Sequence, residues 1–488
     1  MYKILLHGIT NKYDLQELIK VFLSPDMFVS YTDAEAEAAA DLEVKYGNEN
    51  FAAGGTQPAE IAAPAAQPIL LEINQALSAD KNEIKREIYR KLAAVTGYEP
   101  EWGILTGVRP VKLAGELLDR LQDMETVRRT LREDYLLAEP KIDLLTDTLA
   151  YQREVCGKAA PDSVGVYIGI PFCPTRCLYC SFTSNQVPDA EIARYLEALK
   201  QEIAYVGRRM RQTGLWAESI YIGGGTPTTL TAEQLDALLG MVEAAIDLSK
   251  LKEFTVEAGR PETITYEKLE VLQQHHIARI SINPQSMHAK TLDLIGREHR
   301  PDDIVKAFQR ADWVGIPIVN ADVITGLPEE SPADFAETME ALLALDPENI
   351  TVHTLAVKRA SRLVEVDKDF HYKQGETVKE MLAVAQQKLK TAGFRPYYLY
   401  RQKHMAGAFE NTGYCKGDTP CIYNIRIMEE KQTILALGAG GISKIYYPDE
   451  NRLERVPNVS NYEIYISRLE EMLDRKEQNI FKEVEKRC

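Results

Sequence analysis

Val164-Gly165-Val166-Tyr167-Ile168-Gly169-Ile170-Pro171-Phe172-Cys173-Pro174-Thr175-Arg176-Cys177-Leu178-Tyr179-Cys180 is an apolar run that ends at a proline and opens into a loop with three cysteines. A short apolar run bounded by a turn reads as a strand buried on both faces, as in a parallel sheet. Downstream the pattern repeats. Helical spacing from Pro188 to Arg211 is followed by a strand at Ser219–Ile222, a turn at Gly223–Thr228 and a helix at Ala232–Ile246. Strands at Glu253–Val256, Ala278–Ile282, Ile316–Ile324 and Ile350–Leu355 alternate with helices over Tyr266–His275, Lys290–Ile295, Asp302–Val314 and Pro332–Leu345. Strands joined by helices pair in parallel through right-handed crossovers. Six of them predict a partial (β/α)6 barrel of α/β class, open on one side.

The chain of 488 residues is long enough for about three domains. Residues 1–160 read as an N-terminal α+β and helical domain, with an Ala-rich stretch near 35–68 whose lack of apolar periodicity predicts a mobile insertion. Residues 161–357 hold the barrel, and 358–488 an α+β extension expected to cover the substrate. Lys and Arg total 57 against 73 Asp and Glu, a net charge of −16, which argues against nucleic acid or an anionic membrane as partner. The chain starts without a basic segment leading into a long apolar run, so a cytoplasmic location is expected.

Seven cysteines, three within eight residues, make a poor disulfide framework. The CxxxCxxC spacing of Cys173, Cys177 and Cys180 suits three corners of an iron–sulfur cube, leaving one iron open to another ligand. Structural zinc is the alternative, and it wants a fourth protein ligand that no nearby residue supplies. Cys156 and Cys488 read as plain thiols. Cys415 and Cys421 flank a turn and read as inert thiols rather than a redox pair or extra metal ligands. In a β/α barrel, functional side chains gather at the C-terminal strand ends. Here those ends bear the cysteine loop, Gly223–Thr226, Glu257, Asn283 and Gln285, Asp322, and His353–Ala356. His353 reads equally as a core histidine and as a ligand contact.

The cysteine loop after the first barrel strand resembles the radical S-adenosylmethionine superfamily. Tyr-x-x-Ile-Pro-Phe-Cys, Gly223-Gly224-Gly225-Thr226-Pro227-Thr228 and Asp322-Val323-Ile324-Thr325-Gly326-Leu327-Pro328 resemble its oxygen-independent coproporphyrinogen III oxidase family. The long N-terminal extension and Tyr397-Tyr398-Leu399-Tyr400-Arg401-Gln402-Lys403 resemble the HemZ-type branch, which is coproporphyrinogen dehydrogenase-like. The resemblance covers about residues 160 to 360 and implies a 4Fe-4S cluster on Cys173, Cys177 and Cys180. It places Tyr167, Gly224 and Glu257 at one S-adenosylmethionine molecule. Tyr179, Gly225, Thr226, Gln285, Arg297, Asp322 and Ala356 match positions around a second. The implied reaction is reductive cleavage of the sulfonium, hydrogen abstraction from a propionate by the 5′-deoxyadenosyl radical, and loss of carbon dioxide to leave a vinyl group. An unidentified protein would supply the electron.

Two departures bear on this. The family's decarboxylases carry a further cysteine where this chain has Phe182. The related heme-trafficking proteins carry His-Asn-x-x-Tyr-Trp where this chain has Glu410-Asn411-Thr412-Gly413-Tyr414-Cys415. The alternatives are thus a heme-binding or trafficking protein and a heme-modifying methyltransferase of the same family. A tetracarboxylate substrate needs a positive mouth, for which Arg297, His299, Arg300, Lys358, Arg359, Arg362, Arg395, Arg401, Lys403 and His404 are candidates. Tyr397, Tyr398 and Tyr400 are candidates for packing on a macrocycle. A solvated basic face and an ordinary strand of tyrosines explain these residues equally well.

Overall fold

The computed structural model describes residues 1–9, 12–38, 69–74, 80–107, 109–182, 184–358, 361–366, 370, 374–403 and 405–486. Most of the Ala-rich stretch, Arg359, His404 and Cys488 lie outside the described residues. The chain divides into two compact units, one of Met1–Gly107 with Leu121–Asp143, the other of Val108–Arg120 with Leu144–Cys488.

The first unit carries strands β1 (Tyr2–His7), β2 (Phe28–Thr32) and β3 (Ile69–Asn74) in a parallel sheet of order β2-β1-β3. Ile4 and Leu6 of β1 are buried with Leu18 of helix Tyr13–Phe22 and with Ile84, Ile88 and Leu92 of helix Lys81–Thr96. The spacing of Ile84, Ile88 and Leu92 puts these apolar side chains on one face of that last helix. The Asp80 side chain accepts from the Asn82 N–H at its start, and Gly97 closes it in the left-handed conformation (φ 69).

The second unit is built on one sheet. Its strands are β4 (Ser163–Ile170), β5 (Trp216–Gly224), β6 (Glu253–Glu257), β7 (Arg279–Ser281), β8 (Ile318–Thr325), β9 (Asn349–Thr354), β10 (Arg395–Arg401), β11 (Glu410–Cys415), β12 (Thr433–Leu437), β13 (Ile442–Tyr447) and β14 (Arg452–Pro457). Among the described residues the order is β10-β11-β9-β8-β7-β6-β5-β4-β12-β13-β14. The six expected strands, β4 to β9, are all parallel. The sheet extends past both ends of that set. β12 adds a parallel strand beside β4, with Leu435 opposite Val166. β11 adds an antiparallel strand beside β9.

Outward-facing Val164, Val166, Ile168, Ile220 and Ile222 pack against helices Asp189–Thr213 and Ala232–Ala245 through Leu199, Ile203, Leu235 and Leu239. The inward face is polar and aromatic. The sheet curls so that Glu257 of β6 feels the charges of Asp322 on β8 and His353 on β9. At the N-terminal strand ends the interior is plugged by the chain itself. The Arg279 guanidinium donates to the carbonyls of Thr419 (3.0 Å) and Pro420 (3.1 Å), and Asn349 donates to Thr419 (2.8 Å). Glu253 pairs with Arg279 at 3.1 Å and accepts the Ile422 N–H. Cys415 and Cys421 sit buried in this plug, with the Cys415 Sγ 3.3 Å from the Tyr151 hydroxyl. No helix of the described residues is long and apolar enough to cross a membrane.

Candidate functional site

At the opposite, C-terminal ends of the strands, the cysteine loop leaves β4 and lies against the glycine turn that ends β5. The Gly225 N–H donates to the Ile170 carbonyl (2.8 Å) and the Thr226 N–H to the Phe172 carbonyl (2.7 Å). A Cβ on Gly225 would stand 2.4 Å from the Phe172 carbonyl oxygen and 3.0 Å from the Cys173 Sγ. The glycine is what lets the loop approach this closely. Gly224 adopts φ 116, a conformation side chains rarely take, and its site for a Cβ faces the Tyr167 hydroxyl.

Cys173 and Cys177 are buried, and Cys180 is half-buried. Burial pushes the Cys173 thiol up to about 11, with Cys180 and Cys177 adding to the rise. The Thr226 hydroxyl lies 3.4 Å from the Cys173 Sγ. Arg260 donates to the Cys177 Sγ at 3.1 Å and to the Thr175 carbonyl at 2.9 Å. No three His, Cys, Asp or Glu side chains among the described residues converge on a single ion. Each thiolate of an iron–sulfur cube binds its own iron, so three cube ligands stand farther apart than three ligands of one ion.

Glu257 ends β6 and accepts two hydrogen bonds, from the Tyr221 hydroxyl (2.7 Å) and the Gly224 N–H (3.1 Å). Burial raises its carboxyl from 4.5 to about 7, and Asp322 adds to the rise. Tyr221 stacks on Tyr423 with ring centroids 4.7 Å apart, and Tyr167 lies in the same stack. Asp322 accepts from Asn320 (2.7 Å) and stands 3.6 Å from the His353 Nε2, so His353 is a partner of a site carboxylate. Gln285 sits at φ 68, held by its N–H to the Asp322 carbonyl and by its own carbonyl to the Ile324 N–H. Arg297 is buried, donates to the carbonyls of Gly259 (3.0 Å) and Asn283 (3.1 Å), and reaches the Tyr179 hydroxyl at 3.3 Å. Ala356 contributes backbone, bridging to Met405.

This rim suits a cluster and a polar ligand. Three thiols share one loop, and the glycine turn packs closely beside them. The Gln285 Oε1, Asn283 Oδ1, Arg297 Nε and Thr175 Oγ1 are buried without a partner. Buried polar atoms left unpaired are costly, and a bound ligand is one way to satisfy them.

The family model described as the radical SAM superfamily matches residues 167–342. The chain is 39% identical over 401 residues to the Bacillus subtilis oxygen-independent coproporphyrinogen-III oxidase-like protein HemZ, across 81% of this chain and 80% of that one. The chain belongs to the HemZ-type, coproporphyrinogen-III-oxidase-like family of radical SAM proteins. That membership implies a 4Fe-4S cluster and S-adenosylmethionine. The heme chaperone HemW of Bacillus subtilis is 32% identical over 234 residues, 47% of this chain and 61% of that protein. The solved structure of coproporphyrinogen III oxidase (HemN) from Escherichia coli is 22% identical, covers 66% of this chain and 73% of its own, and superposes with a TM-score of 0.52. That likeness shows the shared fold.

Three further residues that contact this rim carry no motif in the sequence. Tyr221 lies two residues before Gly223 on the same strand face, and period-two alternation could have found it. Arg260 follows Glu257 in the loop after β6, a place where barrel loops carry function. Tyr423 arrives from helix Ile422–Glu429, for which sequence spacing holds no signal. The expected basic mouth is partly corrected. Arg300 is exposed and pairs with Asp293 at 2.7 Å, Arg395 pairs with Glu154 at 3.0 Å, and Arg401 donates to the Ala408 carbonyl. Among the described residues, Arg260, Arg297 and Lys358 are cations that act on the thiols, and the Lys358 ammonium lies 5.8 Å from the center of the exposed Phe182 ring. Tyr397 and Tyr398 are buried, and Tyr397 packs in the cluster of Tyr151, Cys415, Cys421 and Tyr423, so neither is a platform for a macrocycle.

Proposed function

We propose that this chain is a cytoplasmic radical S-adenosylmethionine oxidoreductase that converts propionate groups of coproporphyrinogen III to vinyl groups without oxygen. The observation that carries the reading is a single rim bearing three thiols, a glycine cradle and two carboxylates, in a chain 39% identical to a protein named as like that oxidase. Cys173, Cys177 and Cys180 would hold the cluster. Tyr167, Gly224 and Glu257 would hold one S-adenosylmethionine, with Tyr179, Gly225, Thr226, Gln285, Arg297, Asp322 and Ala356 around a second. When bound, these groups supply the electron and the carbon radical that removes hydrogen from the propionate. Glu257 holds a proton or a charge near neutrality. Buried Arg260 and Arg297 put positive charge beside the thiols. A protein reductant would feed the cluster.

A second reading, heme binding or heme modification, draws on Phe182 at the decarboxylase cysteine position and on the chaperone relatives. The trafficking-motif positions argue the other way. Glu410 is buried in β11, and the Asn411 Oδ1 accepts the Thr354 N–H at 2.8 Å. Neither offers the imidazole that heme iron takes.

One anaerobic incubation tests the proposal. Reconstituted protein is mixed with reductant, S-adenosylmethionine and coproporphyrinogen III, and 5′-deoxyadenosine and decarboxylated product are followed separately. Both are expected. 5′-Deoxyadenosine without decarboxylated product refutes the substrate and leaves the radical chemistry. Stable heme uptake without turnover favors the second reading.

A further inference from the structure

The second unit holds a concentration of positive charge far from the cysteine loop. Glu430 stands between helix Ile422–Glu429 and β12, at the strand end opposite the thiols. Four cations converge on its carboxylate. Arg109 is at 3.1 Å, Arg455 at 3.1 Å, Lys112 at 3.4 Å and Lys444 at 3.7 Å. They come from two places in the chain, the start of helix Pro110–Leu121 and the antiparallel pair β13–β14. Among the described residues, Glu430 is the only carboxylate within ion-pair range of any of the four. Three positive charges are therefore left over.

These charges are not freely hydrated. The side chains of Arg109, Lys112 and Lys444 are 22%, 21% and 11% exposed. The Arg109 Nε is buried and has no partner. Burial, with Arg109 next in weight, pulls the Lys444 ammonium down to about 8. Glu430 holds a left-handed backbone (φ 54), a position that usually goes to glycine or asparagine. An uncompensated group of partly buried charges costs free energy unless a counter-charge joins it. In a chain of net charge −16 the group is an exception that general composition does not explain.

We propose that Arg109, Lys112, Lys444 and Arg455 form a binding site for a small oxyanion carrying two or three negative charges, phosphoryl or carboxylate. Guanidinium groups bind such oxygens in a fixed, paired geometry, and lysines add point charge. The anion bridges the start of helix Pro110–Leu121 to the β13–β14 edge, and Glu430 competes with it for the same donors. This site does not depend on the proposed reaction.

The test is isothermal titration of the full chain at constant ionic strength, with pyrophosphate in one arm and citrate in another. Saturable binding of either is expected, and the arms distinguish phosphoryl from carboxylate. The double variant K112Q/R455Q, which alters the most accessible member, Arg455, and the largely covered Lys112, weakens binding by about tenfold or more. E430Q, which removes the competing carboxylate, binds at least as tightly as wild type. The anion also raises the melting temperature of wild type and E430Q more than that of K112Q/R455Q. Added S-adenosylmethionine leaves the affinity unchanged. No saturable binding in either arm, binding that K112Q/R455Q leaves intact, binding displaced by S-adenosylmethionine, or weaker binding by E430Q overturns the assignment.

Discussion

Replacing Gly225 by alanine puts a methyl group 2.4 Å from the Phe172 carbonyl oxygen. Ordinary C···O contacts begin at about 3.3 Å, so the two must part by roughly 1 Å. Both partners are backbone, and no rotamer can relieve the clash. The Phe172 carbonyl is also held by the Thr226 N–H at 2.7 Å, so the shift strains that hydrogen bond and moves Cys173, the next residue. Overpacking of this kind costs about 1–3 kcal/mol, and the weakened hydrogen bond adds about 1 kcal/mol. A displacement near 1 Å at a reacting center costs on the order of a hundredfold in rate. G225A is therefore expected to fold with a lowered melting temperature, to take up less iron on anaerobic reconstitution, and to release 5′-deoxyadenosine roughly a hundredfold more slowly. Gly240 is the control, because a Cβ there meets nothing within 4 Å and the residue lies in helix Ala232–Ala245. G240A should gain about 0.5–1 kcal/mol and keep its rate. A G225A protein with full iron content and wild-type rate refutes the packing argument.

Alanine at Cys173, Cys177 or Cys180 should abolish the visible iron chromophore after reconstitution, and a chromophore that survives removes that residue from the cluster. Burial raises the Glu330 carboxyl from 4.5 to about 7, so the folded chain binds more protons than the unfolded chain across that window and stability falls as pH rises through it. E330Q should abolish this part of the fall and be more stable than wild type at pH 8, by up to about 3 kcal/mol in denaturant titrations; equal or lower stability there counts against it. Arg279→Met leaves Glu253 buried without its cation and should cost about 3–5 kcal/mol, and a loss below about 1 kcal/mol in denaturant refutes the plug's ionic role. A cationic ligand beside Glu257 favors its charged form, so S-adenosylmethionine uptake at pH 6 should release close to one proton, read by calorimetry in buffers of different ionization heat; no release places the ligand's charge elsewhere.

The barrel was legible because its strands carry period and punctuation together. Val164–Ile170 and Ile316–Ile324 are apolar runs broken by Pro171 and Gly326, and β4 and β8 match them closely. β11 was not legible. Glu410-Asn411-Thr412-Gly413-Tyr414-Cys415 has neither alternation nor an apolar run, yet all six residues are buried between β9 and β10. Gly413 is there because the Tyr398 ring occupies the space of a Cβ, a cross-strand fit that a linear reading cannot see. Thr433–Leu437 is a short apolar run, but its place beside β4 depends on pairing across more than 250 residues. The thiols and Glu257 could be named from local pattern. Tyr423 and the 416–422 plug could not, because their role arises only when the curled sheet leaves a space at its base.

Glu253 and Glu257 show how one strand separates structure from chemistry. They lie four residues apart on β6 and share its inward face. At the base, Glu253 meets Arg279 and the Ile422 N–H, groups the chain itself supplies. At the rim, Glu257 meets a hydroxyl and one N–H, and no Arg or Lys among the described residues lies within ion-pair range of it. The same residue type is thus finished by the fold at one end and left open to a partner at the other. Burial costs both carboxylates hydration, but only Glu253 recovers it from the chain. The rim therefore keeps an electrostatic deficit that a bound positive group can remove, and the fold places that deficit beside the glycine cradle and across β5 from the three thiols.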